Sequence, residues 1–314
     1  MNAALVLLQL LLTVALAPLL TGIVRKVKAR MLGRRGPAMT QPYRDLLRLV
    51  RKEAVLADNA SWLFRVAPYL IFTAIWLAAA IVPTFAIGLP LGRTADLIAL
   101  VALLGSARFA LALAGMDVGT SFGGIGSSRE MMIASLAEPA MLMVTFTVAL
   151  IVRSTSMQHI SEFVLTHHVG IRVSLLLGLI SLVMVAIAEN ARIPVDNPAT
   201  HLELTMVHEA MVLEYSGRHL ALIEAASMLK LLLYISLIGA VFIPWGMALH
   251  DLTPSAVALG LGTYAVKLGV GAVLLGVFET SIAKMRVFRV AEFLGGSLLL
   301  GLLAAIFLYV SLRV

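Results

Sequence analysis

The sequence predicts an all-α polytopic membrane protein of about eight transmembrane helices, with an amphipathic surface helix in the first loop. Of the 314 residues, 61% are hydrophobic and only 13% are charged, whereas a soluble domain is nearer half apolar and a quarter charged. Apolar runs of about 20 residues, the length that crosses the hydrocarbon core of a bilayer, recur along the whole chain. Together these observations indicate a protein whose solvent is lipid.

The apolar runs place the spans in order. We expect them at about 2–24, 62–86, 95–116, 130–152, 171–189, 219–243, 255–278 and 292–312, within a single membrane domain over residues 1–314. Ala15-Leu16-Ala17 in the first run resembles a signal-peptide cleavage site. However, no positive charge precedes this run and a dense positive cluster follows it, which is the reverse of a secretory signal. We therefore expect the first run to remain as a helix.

Lys and Arg residues are distributed unevenly between the two sets of loops. Ten of the 24 lie between Arg25 and Lys52, after the first span. The loops after spans 3, 5 and 7 add Arg129, Arg192, Lys284, Arg286 and Arg289, and the opposite loops hold little beyond Arg93, Arg153 and Arg172. By the positive-inside rule, both termini lie outside and the four odd-numbered loops are cytoplasmic.

The first loop contains the predicted surface helix, which starts near Gln41. Pro42 suits a first helical position. Arg44, Arg48 and Arg51 recur at three- and four-residue spacing, and the apolar residues turned away from them are Tyr43, Leu47, Val50 and Ala54. Such a helix lies along a membrane surface and binds acidic phospholipid headgroups or partner proteins. Although the net charge is +7, the position of this cluster beside a span argues against nucleic-acid binding.

Ionisable residues occur within the spans, where each costs several kcal/mol unless it is paired or hydrated. They are Arg108, Glu130, Glu138, Glu189, Glu224, Lys230, Lys267 and Glu279. One interpretation is structural pairing between helices, for example Glu224 with Lys230 or Arg108 with a neighbouring acid. The other is a proton or ion path. Glu130 and Glu138 are separated by about 12 Å of helical rise and roughly 80°, so both are placed to line one side of a polar passage.

Two polar segments adjoin the spans. The glycine-rich segment 119–130 lacks the Gly-Lys-Ser/Thr ending of a phosphate loop, so we expect a loop closed by a Ser127–Glu130 capping box. The third loop, from Glu189 to Gly217, is rich in carboxylates and also holds His201 and His208. A His-Glu-x-x-His metal motif is absent because Val212 occupies the last position. An acidic funnel whose carboxylates raise one another's pKa, or a docking surface for a soluble partner, accounts for the loop better.

The two charged loops resemble those of the family that includes subunit 1 of respiratory complex I. The residues that carry the resemblance are Arg35-Gly36-Pro37, Gln41-Pro42, Asp45 and Lys52-Glu53 in the first loop, and Glu189, Arg192, Pro194, Asp196, Glu203-Leu204 and Glu214-Tyr215-Ser216-Gly217 in the third. The resemblance covers nearly the whole chain. Within the family, the runs from Phe122 to Met132 and from Arg192 to Glu209 look like the hydrogenase branch, of the formate hydrogenlyase and hydrogenase-4 type.

Three differences separate the sequence from the quinone-reducing branch. Ala38-Met39 follows Gly36-Pro37 where complex I usually has Asn-Arg, His201 replaces a common glutamate, and the stretch around Met206–Ala210 looks inserted. The resemblance therefore implies a membrane-anchoring and proton- or ion-coupling subunit of a membrane-bound [NiFe]-hydrogenase complex in a bacterial or archaeal cytoplasmic membrane. Its implied partners are the iron–sulfur small subunit, the NiFe large subunit, antiporter-like membrane subunits and phospholipid.

The cofactors implied by the resemblance are expected in those partner subunits and not in this chain. The sequence has no cysteine, which excludes thiolate-held iron–sulfur clusters and a NiFe centre. The expected coupling residues are Glu130, Glu138, Glu189, Arg192, Asp196, His201, Glu203, Glu214, Glu224 and Lys230. The expected docking residues are Arg34, Arg35, Arg44, Asp45, Arg48 and Arg51.

Two other functions stay open at this point. The chain has the layout of a quinone-site subunit of a true NADH-quinone oxidoreductase, and a quinone-dependent activity would favour that function. A stand-alone secondary transporter is the third possibility, but such proteins commonly show paired structural repeats, and no internal repeat stands out here.

Overall fold

The protein is all-α, as predicted. The computed structural model describes residues 2–90, 92, 95–167, 172–192, 206–249, 253–283 and 289–313. Within those ranges the only β-type pairings are two isolated bridges, Ala86 with Ala248 and Asp96 with Ser156. The helices are α1 (Asn2–Met31), α2 (Gln41–Val50), α3 (Trp62–Ile81), α4 (Leu97–Asp117), α5 (Ser121–Val152), α6 (Met157–Thr166), α7 (Val173–Glu189), α8 (His208–Val212), α9 (Gly217–Phe242), α10 (Pro254–Ser281) and α11 (Val290–Arg313).

Eight of these helices correspond to the predicted spans. Seven (α1, α3, α4, α5, α9, α10 and α11) are long and apolar enough to cross a membrane, and the eighth, α7, is an apolar helix of 17 residues, at the short end of the range for a span. Four of them, α3, α4, α5 and α10, begin with a capping side chain. Ser61 accepts a hydrogen bond from Leu63 N at the start of α3, and Asp96 accepts one from Ile98 N at the start of α4.

The glycine-rich segment differs from the prediction. We expected a loop and a Ser127–Glu130 capping box with a span from residue 130, but α5 begins at Ser121 and is capped by Thr120. Gly123 and Gly126 lie within α5 and pack against other parts of the bundle instead of forming a turn. A side chain at Gly123 would collide with the carbonyl oxygen of Gly115 on α4, so glycine permits a close helix crossing. Small residues at such crossings are typical of membrane helices.

The spans form one bundle around α9. In the most apolar part of α9, 72% of the residues are buried, against 22% in α10. α9 packs on α1 and α3, α4 packs on α3 and α5, and α11 packs on α5 and α7. α10 is attached mainly to α1. The most covered helices are therefore α9 and α4, and α10 forms a largely uncovered side of the bundle.

The surface helix α2 lies where it was predicted, although it ends at Val50, before Ala54. Its apolar residues Tyr43, Leu47 and Val50 are exposed, as expected for a helix at a bilayer surface. The Tyr43 hydroxyl donates to the carbonyl oxygen of Ala15 in α1. Partial burial of this side chain raises the pKa of the Tyr43 phenol.

The segment after α2 joins the first loop to the third. Val55 N donates to the Ser216 hydroxyl oxygen at 2.8 Å, and that hydroxyl donates to Val55 O at 2.9 Å. Tyr215 stacks on Phe64 with ring centroids 3.9 Å apart. Gly217 has a φ of 54°, and a side chain there would also collide with the Glu53 carbonyl. Two motifs that the sequence analysis treated separately thus form one junction.

Candidate charge-relay site

Arg108 lies near the middle of α4 and contacts three carboxylates. Its Nε is 3.5 Å from Oε1 of Glu130, its Nη1 is 3.2 Å from Oε1 of Glu138, and its Nη2 pairs with Oε1 of Glu189. The side chains of Arg108, Glu130 and Glu189 are at most 4% exposed, whereas that of Glu138 is 43% exposed. The guanidinium thus links α4 to α5 and α7 inside the bundle.

Two further residues extend this group. Lys230 on α9 places Nζ 3.7 Å from Oε2 of Glu189, and His208 on α8 places Nδ1 3.3 Å from Oε2 of Glu130. We call the group of Arg108, Glu130, Glu138, Glu189, Lys230 and His208 the Arg108 cluster. Its side chains come from five helices and reach from the interior to the partly exposed Glu138 and His208.

The local sequence explains how these charges come together. Glu130 and Glu138 lie on the same helix, eight residues apart, and both meet Arg108 because the long guanidinium side chain lies between them. A Cβ at Gly105 would lie 3.3 Å from Oε1 of Glu138, so glycine leaves room for that carboxylate. Pro139 follows directly in the sequence. Proline has no N–H to donate within a helix, so the carbonyl of Ser135 lacks its usual helical donor.

The formal charges of the Arg108 cluster do not balance. Glu130, Glu138 and Glu189 carry three negative charges, whereas Arg108 and Lys230 carry two positive charges. The buried members Arg108, Lys230, Glu130 and Glu189 balance one another, so the unbalanced negative charge lies on Glu138, whose side chain is 43% exposed. A connected group of this kind has the means to hold and pass a proton.

A second ion network lies at the ends of α1, α7 and α10. Glu279 accepts from Lys28 Nζ at 3.0 Å and pairs with Arg192 Nη1 at 3.3 Å. The Glu279 carboxylate is only 3% exposed, whereas the two cations are partly exposed. Burial lowers the pKa of the Arg192 guanidinium, and Glu279 opposes that effect. Since Arg192 follows Glu189 by three residues, this Glu279 network begins next to the Arg108 cluster.

Glu224 belongs to a third group, and the pairing that we considered between Glu224 and Lys230 does not form. Lys230 pairs with Glu189, while half-buried Glu224 interacts with the charges of Arg25 and Asp45. Arg25 Nη1 is 3.9 Å from Asp45 Oδ2, and Arg48 Nη2 is 3.3 Å from Asp45 Oδ1. Of the expected docking residues, Asp45 and Arg48 are therefore paired within the chain.

The other expected site residues lie elsewhere. Glu214 is exposed and forms no ion pair with any residue in the described ranges. Arg34, Arg35, Arg44 and Arg51 are exposed. Asp196, His201 and Glu203 lie outside the described residues. Where the structure describes the chain, no group of three or more His, Cys, Asp or Glu side chains is placed to hold a metal ion.

Three members of these networks, Arg108, Glu279 and His208, were not predicted as site residues. Arg108 and Glu279 were identified as charged residues within spans, but not as the centres of networks, because their partners are far away in the sequence. Lys28 and Glu279, for example, are 251 residues apart. His208 was assigned to the third loop, and nothing in its spacing indicated Glu130. A charged residue within a span is a signal for a functional site, and that signal applied to Arg108 from the start.

Comparisons with known proteins agree on one family. A family model described as NADH dehydrogenase matches residues 3–310. The chain is 35% identical to formate hydrogenlyase subunit 4 of Escherichia coli (strain K12) over 280 residues, covering 89% of this chain and 90% of the relative. It is 33% identical to hydrogenase-4 component C of the same strain, covering 88% and 87%. It is 26% identical to NADH-ubiquinone oxidoreductase chain 1 of Dictyostelium citrinum, covering 83% and 80%.

The fold also has a counterpart among solved structures. A chain in the structure of the membrane-bound sulfane sulfur reductase, an archaeal respiratory membrane complex, superposes with a TM-score of 0.83. The match covers 98% of this chain and 99% of that chain at 19% sequence identity. The likeness in structure therefore concerns the fold, while the family assignment comes from the sequence. On that sequence evidence, the chain belongs to the NADH dehydrogenase family, whose members resemble subunit 1 of complex I.

Proposed function

We propose that this chain is the membrane-anchoring and proton- or ion-coupling subunit of a membrane-bound [NiFe]-hydrogenase complex related to respiratory complex I. In this function the chain links a soluble redox arm to antiporter-like membrane subunits. The relatives named formate hydrogenlyase subunit 4 and hydrogenase-4 component C support the hydrogenase branch. Iron–sulfur clusters and the NiFe centre belong to the partner subunits, since this chain has no cysteine.

The observation that carries the proposal is that the Arg108 cluster connects buried charges to Glu138, which is partly exposed and holds the one unbalanced negative charge. A redox event in the attached arm changes the electrostatic potential at its docking face. The cluster responds by taking up or releasing the one proton that balances it, and Glu138, which is 43% exposed, is the exit toward a neighbouring membrane subunit. We assign Glu130, Glu138, Glu189 and Lys230 to this relay.

The third loop supplies the proposed coupling between the redox arm and the relay. Arg192 pairs with Glu279 and lies three residues after Glu189. Asp196, His201, Glu203 and Glu214 extend the series by resemblance to the family. Glu224, beside Arg25 and Asp45, joins the relay side to the surface helix α2.

The proposed docking face consists of the first loop and α2. Arg34, Arg35, Arg44, Arg48 and Arg51 are exposed there, and only Arg48 is in an ion pair among the described residues, with Asp45. We place this face in the cytoplasm and both termini outside, because the odd-numbered loops carry the excess of Lys and Arg. The hydrogenase small subunit and phospholipid headgroups are the proposed contacts of this face.

Substitution of Glu138 tests the relay. The Glu138→Gln variant keeps the shape of the side chain and removes its charge, so we expect fewer protons moved across the membrane for each hydrogen molecule turned over. The measurement is proton movement into sealed vesicles that contain the purified complex, divided by hydrogen production. Glu162→Gln on α6 is the matched control. A proton-to-hydrogen ratio unchanged in Glu138→Gln would contradict the relay.

A quinone-site function is the second candidate, because relatives of the quinone-reducing kind also match most of the chain. Under that function, a quinone analogue would inhibit electron transfer and protect the segment 35–52 from chemical modification. The same vesicle preparation tests this. Hydrogen turnover that is insensitive to quinone analogues would support the hydrogenase function, and full inhibition would support the quinone site.

A further inference from the structure

A groove opens beside the end of α1, away from the Arg108 cluster. It has a volume of about 460 Å³ and is lined by Ile23, Lys26, Val27, Arg30, Met31 and Met39. We call it the α1 groove. Its volume lies within the range of about 300–1,000 Å³ that is typical of ligand sites. Four of the six lining residues are apolar, two are cations, and none is acidic.

Of the four cations at the end of α1, two are ion-paired and two line the groove. Arg25 pairs with Asp45 and Lys28 pairs with Glu279. Lys26 and Arg30 line the groove and form no ion pair with any residue in the described ranges. They stand one helical turn apart, and like charges at this spacing destabilise a helix. An anion between Lys26 and Arg30 would remove that repulsion.

The backbone around the groove is held in place. Val27 contacts α10 at Gly276, where a Cβ would lie 2.7 Å from Cγ1 of Val27, and Met31 Sδ is 3.2 Å from the Thr280 hydroxyl oxygen. Gly22 lies against the carbonyl of Met39, so closely that any side chain at position 22 would collide with it. The loop before α2 thus folds back over α1 and closes one side of the groove.

The level of the groove in the membrane indicates which class of ligand it binds. The uncharged part of α1 runs from Ala3 to Val24 and is about 33 Å long at 1.5 Å per residue, close to the roughly 30 Å of the hydrocarbon core. Lys26 and Arg30 therefore emerge at the level of the phospholipid phosphates, while Ile23 and Val27 lie where acyl chains begin. Basic pockets of this kind between membrane helices bind anionic headgroups.

We propose that the α1 groove is a binding site for one anionic phospholipid, with its phosphate between Lys26 and Arg30 and its acyl chains along Ile23 and Val27. This site is independent of the proposed coupling function, since none of its lining residues belongs to the relay. It also differs from the surface cations of α2, because it is a groove with an apolar floor and not an exposed charged face.

The test is a titration of the purified full chain with dioleoyl phosphatidylglycerol, followed by native mass spectrometry. The double variant Lys26→Gln/Arg30→Gln is expected to bind the first lipid about 30-fold more weakly, which is the factor for two juxtamembrane cations at about 1 kcal/mol each. The charge-exchanged variant Lys26→Arg/Arg30→Lys is expected to bind within about threefold of the native chain, because both charges remain. This second variant separates lost binding from lost folding.

The matched control is Arg153→Gln/Arg172→Gln, which removes the same charge from exposed residues outside both the groove and the proposed docking face. It is expected to bind as the native chain does. Equal losses in the control and in the groove variant would overturn the site, and so would equal affinity for dioleoyl phosphatidylcholine. Displacement of the lipid by inorganic phosphate at the same concentration would also overturn it, since the ligand would then be a free anion.

Discussion

Arg108 illustrates what a single buried cation does in this protein. One guanidinium satisfies carboxylates from α5 and α7, and it is 4% exposed. Removal of one partner from a buried ion pair leaves a charge without compensation, which costs about 3–5 kcal/mol. This cost falls more on Glu130 and Glu189, which are buried, than on Glu138, which is 43% exposed at the surface of the bundle.

Substitution of Arg108 by leucine therefore has a predictable result. We expect Arg108→Leu to lower the free energy of unfolding by about 3 kcal/mol or more, measured by unfolding with sodium dodecyl sulfate in mixed micelles. The control Arg65→Leu replaces an exposed arginine and should change that free energy by about 0.5 kcal/mol or less. Similar losses in the two variants would show that Arg108 carries no special share of stability.

Glu279 allows a second prediction at the same scale. The Glu279→Gln variant removes the charge that holds both Lys28 and Arg192, so the ends of α1, α7 and α10 should loosen. Hydrogen exchange measured by mass spectrometry should rise in residues 276–283, with Glu292→Gln as the matched control. Unchanged exchange in residues 276–283 would contradict the prediction that Glu279 holds these helix ends together.

At the scale of elements, hydropathy predicted where the spans lie, because lipid requires a long apolar helix whatever its neighbours. The predicted span 95–116 and the observed helix Leu97–Asp117 agree within two residues. The start of α5 was wrong by nine residues. Glycine and serine often end helices in water. Here α5 continues through them because these small residues let it pack closely on α4.

The packing of α5 on α4 leads to a prediction about two adjacent glycines. A Cβ at Gly123 would collide with the Gly115 carbonyl, whereas a Cβ at Gly124 would meet nothing within 4 Å. We expect Gly123→Ala to lower the unfolding temperature by several degrees. Gly124→Ala should leave that temperature unchanged or raise it, because alanine is favoured over glycine in a helix by about 1 kcal/mol. The reverse order of the two variants in thermal unfolding would refute this account of the crossing.

The surface helix was predicted with its correct start because amphipathic spacing is local information. The helix begins at Gln41 and Pro42, as expected, and ends at Val50. Its attachment was not predictable, since the bonds between Val55 and Ser216 join residues 161 positions apart. Sequence patterns identify which side chains are unusual, but only the fold shows which of them meet.

At the scale of the whole molecule, the described ion pairs form three groups on one bundle. The Arg108 cluster lies inside, the Glu279 network lies at the ends of α1 and α10, and the pairs of Asp45 with Arg25 and Arg48 lie at α2. The sequence analysis named most of these residues as candidates. The pairing of Lys230 with Glu224 that was considered does not form, because spacing along one helix does not reveal a carboxylate supplied by another.

The proposed docking face gives the prediction at this scale. Reversal of charge in Arg44→Glu/Arg48→Glu/Arg51→Glu should release the soluble hydrogenase module from the membrane, as measured by the subunits that co-purify after mild detergent extraction. The control Arg65→Glu/Arg153→Glu/Arg172→Glu reverses the same number of charges elsewhere. An intact complex in the first variant would show that the surface helix is not part of the docking face.

The difference in burial between these groups has a consequence for the effect of dissolved salt. Mobile ions screen charges at the surface over about 8 Å at 0.15 M ionic strength, and they do not enter an interior in which Arg108 and Glu189 are no more than 4% exposed. Concentrated potassium chloride should therefore weaken contacts made through the arginines of α2, while the pairs around Arg108 persist. A wash with concentrated salt therefore distinguishes contacts made at the surface of the bundle from ion pairs in its interior.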